Sequence, residues 1–406
     1  MTTQPIPDPS TATGRRRHHL RPLWAVLALA GVLAGCEKSD IEAALKPPTT
    51  TTPVRKHDHR PPSSTVPVDS IPNDSTPGNS VPDGSTPEPT DPGAPIPTTV
   101  VPTTIAPTPE TPTTPAPGGG VIVGTGAAAM TFPEKPGLTV PESSLKPYTG
   151  PHVFDSSNPG TYVFENCLVT DSVRLLDDAT ANVTFRNCKF TVDDYYGVQA
   201  TGGTLTVEHS LFDGSTLTTG GKQFVIDYHA AGAVRYSEFR NMLSAMYIAG
   251  NKVATAEWNY IHDGRKYVDG TNHAGGIMTY DAPRPPGTTG PHIFIRNNYI
   301  ADYDTTEGGA FNLQVSTDFG GVDGVRIEGN SFLPSGSYCV AFFADDDPAD
   351  KIINVEVLNN RFFANAANPQ CGYYGTHALT PDSAISAWSG NTLRNINGGA
   401  ATTVNR

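Results

Sequence analysis

The sequence is short of positive charge: 27 Lys and Arg stand against 40 Asp and Glu in 406 residues, a formal balance of −13. A nucleic-acid-binding chain needs clustered cations to displace counterions, so this balance argues against that class. Cysteine is scarce as well, at five. Near the N-terminus a single apolar run, Leu23 to Leu33, is too short to span a bilayer stably. Proline and glycine, by contrast, number 38 and 40, which points to a linker or a turn-rich fold and away from a helix-rich enzyme.

Arg15, Arg16, Arg17 and Arg21 precede that apolar run, the pattern of an export signal. It ends in Leu33-Ala34-Gly35-Cys36, which resembles the bacterial lipobox. The resemblance implies that residues 1–35 are a lipoprotein signal peptide, that Cys36 carries a lipid, and that the chain is exported and anchored to the outer face of the cell membrane. Arg16-Arg17-His18-His19-Leu20 also partly resembles a twin-arginine signal but lacks its aromatic residue.

Residues 36–120 read as a linker. From about Lys46 to Gly120 the chain is Pro, Thr, Ser, Gly and Asp with almost no large apolar side chain. Such a segment cannot bury enough surface to offset its ordering entropy, so a disordered tether is predicted. As a flexible coil it would separate its ends by about 50 Å. The Lys56-His57-Asp58-His59-Arg60 cluster within it reads as a solvated charged patch rather than a metal site. Residues 121–150 are predicted to be an irregular lead-in or an end cap. Gly124-Thr125-Gly126 after Val121-Ile122-Val123 mimics a dinucleotide fingerprint, but Pro133 and Pro136 forbid the helix that must follow.

The domain over 151–406 is set by an internal repeat. An eight-residue template, apolar-x-apolar-x-x-small polar-x-apolar, recurs nine times, as in Val183-Thr184-Phe185-Arg186-Asn187-Cys188-Lys189-Phe190 and Val355-Glu356-Val357-Leu358-Asn359-Asn360-Arg361-Phe362. Its small polar slot is filled by Cys167, Cys188, Ser210, Ser237, Asn259, Asn298, Asn330, Asn360 and Asn391. Alternation gives a strand, a bend follows, and a further apolar residue turns back inside. Each repeat is then one coil, and stacked coils put like slots about 4.8 Å apart in a column about 43 Å tall. The recurrence with one polarity and without hairpin signals argues against an antiparallel sandwich.

This pattern resembles the right-handed parallel β-helix of pectate-lyase-like proteins, which implies an all-β fold of about nine coils. Cys167 and Cys188 share the slot in adjacent coils, and Cys339 and Cys371 lie one coil apart at the other end. Stacked positions fall within the reach of a disulfide, so two rung-to-rung bridges are expected in an exported chain, reduced cysteines packed in the stack being the alternative.

A second strand in each coil sorts inside from outside. It leaves Asp227, His229, Tyr247, Tyr280, Asn312, Gln314 and Phe343 on an outward stripe. Aromatic faces flanked by amides and carboxylates suit sugar rings. Tyr247, Tyr280, Asn312, Gln314 and Phe343 are therefore the expected substrate-binding residues. The longest coil, Asn259 to Asn298, adds His262, Arg265, Lys266, His273 and Asp281. With Asp227 and His229 these are the candidates for a general base and for a cation that neutralises a uronate carboxylate.

Asn272-His273-Ala274-Gly275-Gly276-Ile277 also resembles a His-Asn-Asp-Gly-Ile element of some bacterial β-helix proteins, with Gly275 in place of its acid. The paired aspartates of polygalacturonases are absent. No metal ligands are assigned; the acidic turn Asp345-Asp346-Asp347 could hold a Ca²⁺ ion, but an exposed loop is the plainer reading. The function expected is a surface-anchored protein that binds a carbohydrate polymer or cell-surface glycan, with lyase or hydrolase activity left open. The alternative is a non-catalytic adhesin or structural spike.

Overall fold

The computed structural model describes residues 120–216, 224–264, 275–301, 311–344, 350–381 and 383–406. The signal segment, Cys36 and the tether lie outside them. Among the described residues, regular structure is strand apart from three single-turn 3-10 segments. The strands form a small hairpin and three long sheets of 11, 9 and 10 strands, here the first, second and third sheet.

Successive strands visit the three sheets in rotation. Cys167–Val169 lies in the first, Val173–Leu175 in the second and Asn182–Arg186 in the third, and Lys189–Phe190 returns to the first. Each strand then pairs in parallel with its counterpart one coil on, as Asn182–Arg186 does with Thr204–Glu208. The coils enclose one hydrophobic core, fed by the inward residue of every alternation. Phe190, Phe212 and Phe239 illustrate it: consecutive rings stack at 4.3 and 4.6 Å with planes 8° and 3° apart. The lumen is tight enough that Gly232 is needed beside the fully buried Tyr228, whose hydroxyl a Cβ there would meet at 2.8 Å.

The polar slot solves the problem of the corner between the third and first sheets. The residue before each slot turns the chain with positive φ: Asn166, Asn187, His209, Tyr236, Trp258, Asn297, Gly329, Asn359 and Gly390. A backbone turned this way leaves buried N–H groups that need partners. The slot side chain of the next coil supplies them. Asn298 Oδ1 accepts from the backbone N–H of Asn259 and from its Nδ2, both at 3.0 Å, and Asn298 Nδ2 donates to Ala256 O at 2.9 Å. The same bonds link Asn298 to Asn330, Asn330 to Asn360 and Asn360 to Asn391. Ser210 and Ser237 do it with hydroxyls, accepting from the N–H of Cys188 and Ser210, each at 3.2 Å.

A second ladder runs along the outside of the third sheet. Register places Glu165, Arg186, Glu208, Arg235, Glu257, Arg296 and Glu328 in one file, alternating in sign at every step. Arg186 bonds both Glu165, at 2.7 Å, and Glu208, at 3.1 Å; Arg296 bonds Glu257 at 2.7 Å. A slip of one coil would set like charges face to face.

Both expected cysteine pairs are disulfides, with different geometry. Cys167 and Cys188 are neighbours on adjacent rungs, with Cα atoms 4.5 Å apart. Cys371 does not sit on the rung above Cys339, because Tyr338 pairs with Gly375. It lies in the turn before that strand, and the bridge joins strand to turn over 5.8 Å.

Residues 121–146 do not cover an end of the column; they run along its side. The hairpin of Val121–Val123 and Met130–Phe132 packs with Tyr299, Leu333 and Phe363 into a second apolar cluster. From there the strap passes Trp258, which meets Phe132 edge-on at 5.5 Å, then His209, then Asn187, which accepts from Thr139. It enters the first coil at Lys146–Pro147. Three of the corner residues it crosses, His209, Tyr236 and Trp258, are bulky, although this backbone conformation disfavours such side chains. Trp258 and His209 meet the strap through Phe132 and Glu134, and the Tyr236 ring stacks on His209. The C-terminal end is covered by the tail, where Val404 joins the core and its carbonyl accepts from Trp388 Nε1 at 2.7 Å.

Two measurements follow from these ladders. Asn298→Ala strands the buried Asn259 N–H and Ala256 carbonyl and should cost about 3 kcal/mol, whereas Arg326→Ala, which removes a half-exposed ion pair, should cost under about 1 kcal/mol. Denaturant unfolding of the two variants checks this. Burial pushes the Glu208 carboxyl up, but its bonds to Arg235 and Arg186 outweigh that and hold it below the usual carboxylate range. A depressed carboxyl stabilises the fold above its unfolded value and loses that contribution as pH falls through the folded one. Stability should therefore decline below about pH 4, and less steeply in Glu208→Gln.

Candidate functional site

The second sheet carries the candidate residues on its outer face. Register aligns Arg174, Gln199, Asp227, Tyr247, Met278 and Gln314 in one outward file. Four polar residues of this region form a continuous relay. Arg174 Nε donates to Gln199 Oε1 at 2.9 Å, Gln199 Nε2 donates to Asp227 Oδ2 at 2.8 Å, and His229 Nε2 stands 2.8 Å from Asp227 Oδ1. Because Asp227 and His229 are two residues apart on one strand end, alternation turns both outward. Asp227 is only 3 % exposed, and the imidazole reaches further toward solvent.

The electrostatics of the relay are set by Asp227. Burial lowers the His229 imidazole, but the hydrogen bond and charge of Asp227, followed by the charges of Asp281 and Asp177, raise it above the ordinary histidine value. Asp281 moves the same way for a different reason: burial raises its carboxyl, the charge of His229 opposes this, and Asp350 adds to it. The two lie on a common edge, with Gly250 between them. The Gly250 N–H donates to Asp281 O at 2.8 Å, and a Cβ on Gly250 would meet His229 Cβ at 3.2 Å. Two perturbed titratable groups on one edge are the raw material of general acid–base chemistry. Asp227 holds the Nε2 proton, leaving Nδ1 as the ring atom able to exchange a proton.

Aromatic rings continue the edge. His229 meets Tyr247 edge-on at 5.3 Å, Tyr247 meets Tyr280 at 5.1 Å, and Tyr280 meets Phe319 edge-on at 5.5 Å. Phe319 is 63 % exposed. The neighbouring Tyr280 hydroxyl touches Met278 Sδ at 3.7 Å.

Several expected positions are placed differently from the sequence reading. The outward stripe is not an open surface, because turns and neighbouring rungs fold over it: Asp227, Tyr280, Asn312 and Gln314 are all buried. Asn312 lies at a corner, where its Nδ2 donates to Leu333 O at 2.6 Å and faces Cys339 Sγ. It is a packed structural residue there, not a binding one. Phe343 is half-buried and packs edge-on with Phe311 at 5.6 Å. His262 belongs to the first sheet, apart from His229 and Asp227, with its ring nitrogens 2.7 Å from Asp263 and 3.3 Å from Glu238. Arg284, in the loop that follows Asp281, is tied to Asp323 at 2.7 Å. Arg265, Lys266, His273 and the acidic turn 345–349 lie outside the described residues. Among the described residues, no three metal-binding side chains come together.

Arg174, Gln199 and Phe319 belong to the site without having been singled out from the sequence. Gln199 was legible, since it occupies the same alternating position one coil before Asp227. Phe319 sits in a turn, where no periodicity marks it.

Comparison with known protein families, with curated proteins and with solved structures finds no match. Asp227→Asn should lower the His229 titration, since burial is then opposed only by the charges of Asp281 and Asp177; NMR of the imidazole reads this directly.

Proposed function

We propose that the column is a right-handed parallel β-helix of the pectate-lyase-like kind and that it binds a carbohydrate polymer along the edge from His229 to Phe319. Parallel crossovers are right-handed in about 98 % of known cases, which supports the hand. The observation that carries the binding reading is the continuous set of rings Tyr247, Tyr280 and Phe319 beside the Asp227–His229 pair. Aromatic faces pack against the C–H faces of sugars, and the flanking polar groups take their hydroxyls. A stack of evenly spaced rungs also suits a polymer, because it lays its contacts out lengthwise.

In this reading His229 is the general base, oriented by Asp227 and through it by Gln199 and Arg174. Asp281 is the carboxylate across Gly250 that steadies the imidazolium formed when His229 takes up a proton. The chain is held at the outer face of the cell through a lipid on Cys36, with residues 36–120 as the tether. The competing reading, an adhesin without turnover, draws on the burial of Tyr280 and Gln314, which narrows the open stripe to one edge.

A panel of neutral, acidic and amino polysaccharides tests both. Binding by calorimetry should weaken about tenfold in Tyr247→Ala, consistent with the loss of one stacking face. Binding unchanged in Tyr247→Ala and in Phe319→Ala would remove the edge as the site. Turnover abolished by His229→Ala supports the enzyme; binding with no product from any polymer supports the adhesin.

A further inference from the structure

Carboxylates flank the ring edge. Asp281 follows Tyr280 directly, Asp318 precedes Phe319, and both carboxylates are exposed. Asp177 and Asp227 also act on His229. Burial first, and then the charges of Asp227 and Asp281, push the Tyr247 phenol up; burial and Asp318 do the same to Tyr280. Among the described residues, Arg174 is bonded to Gln199 and Arg284 to Asp323.

A separate observation points the same way. Gln314 is 6 % exposed, stands one rung beyond Met278 on the outward file, and its Oε1 has no hydrogen-bond partner. A buried carboxamide oxygen left unpaired is costly and calls for an N–H or O–H donor. It is an acceptor, as the carboxylates Asp281 and Asp318 are.

From this geometry we infer that the polymer recognised at this edge carries protonated amino groups: a de-N-acetylated amino-sugar chain whose ammonium sits among Tyr247, Tyr280 and Phe319 with Asp281 and Asp318 as counter-charges. The inference rests on the carbohydrate reading above and narrows it. Aromatic faces attract a cation through the ring quadrupole, and adjacent carboxylates add ordinary charge attraction. A uronate polymer would meet the same carboxylates as repulsion. An N-acetylated chain would keep the ring stacking and lose the charge.

Calorimetry of the whole chain with glucosamine, N-acetylglucosamine and galacturonate hexamers separates these cases. The glucosamine hexamer should bind at least about tenfold tighter than its N-acetylated counterpart, and Asp281→Asn with Asp318→Asn should erase most of that difference. Both positions are exposed, so a thermal melt unchanged from wild type confirms that the double variant is folded. Preference for galacturonate, or glucosamine affinity unaltered in the double variant, would overturn the inference while leaving the carbohydrate reading standing. Failure of every hexamer to bind would overturn both.

Discussion

Each coil must turn a buried corner, and the backbone N–H exposed by that turn has to find an acceptor inside the protein. The slot residue of the following coil provides it, through hydroxyls at Ser210 and Ser237 and carboxamides from Asn259 onward. Asparagine does more than serine at this position, because its oxygen accepts from the backbone while its nitrogen ties the previous coil's carbonyl. The stack depends on this exchange. Core residues could pack in more than one register, but a carboxamide displaced by one residue would leave both coils with buried, unpaired groups.

Two further devices fix the same register from outside. The alternating file from Glu165 to Glu328 sets opposite charges on successive rungs, and the 121–146 strap crosses several coils and binds them lengthwise through Phe132, Glu134 and Thr139. A rigid column of this kind can hold Asp281 in fixed relation to Asp227 and His229 although it comes from a different coil, because rung spacing rather than loop conformation sets their separation. The candidate site therefore inherits its order from the ladder on the opposite side of the strand circuit.

Much of this was legible in the sequence, because the repeat has a physical cause. The template encodes a strand, a bend and a polar slot, and all nine slots fall in one file. The alternating charges were equally visible at the fourth template position, as Arg186, Glu208 and Arg235. What could not be read was burial. Alternation reports whether a side chain points outward, not whether a turn from the next coil covers it, and so Asn312 and Gln314 face outward yet are enclosed. Nor could the placement of 121–146 be read, since an irregular segment has no period to reveal which surface it follows. His262, read from the longest coil, lies apart from His229 because a coil distributes successive strands over different sheets.

The dependence on the slots is tested most directly by native-state hydrogen exchange of the backbone amides at Cys188, Ser210, Ser237, Asn259, Asn298, Asn330 and Asn360. Amides bonded to a buried slot side chain open only with the coil itself. They should exchange as slowly as the central amides of the second sheet, and Asn330→Ala should release the Asn298 amide far more than that of Ser210. Fast exchange at all seven in the unmodified chain would contradict the account.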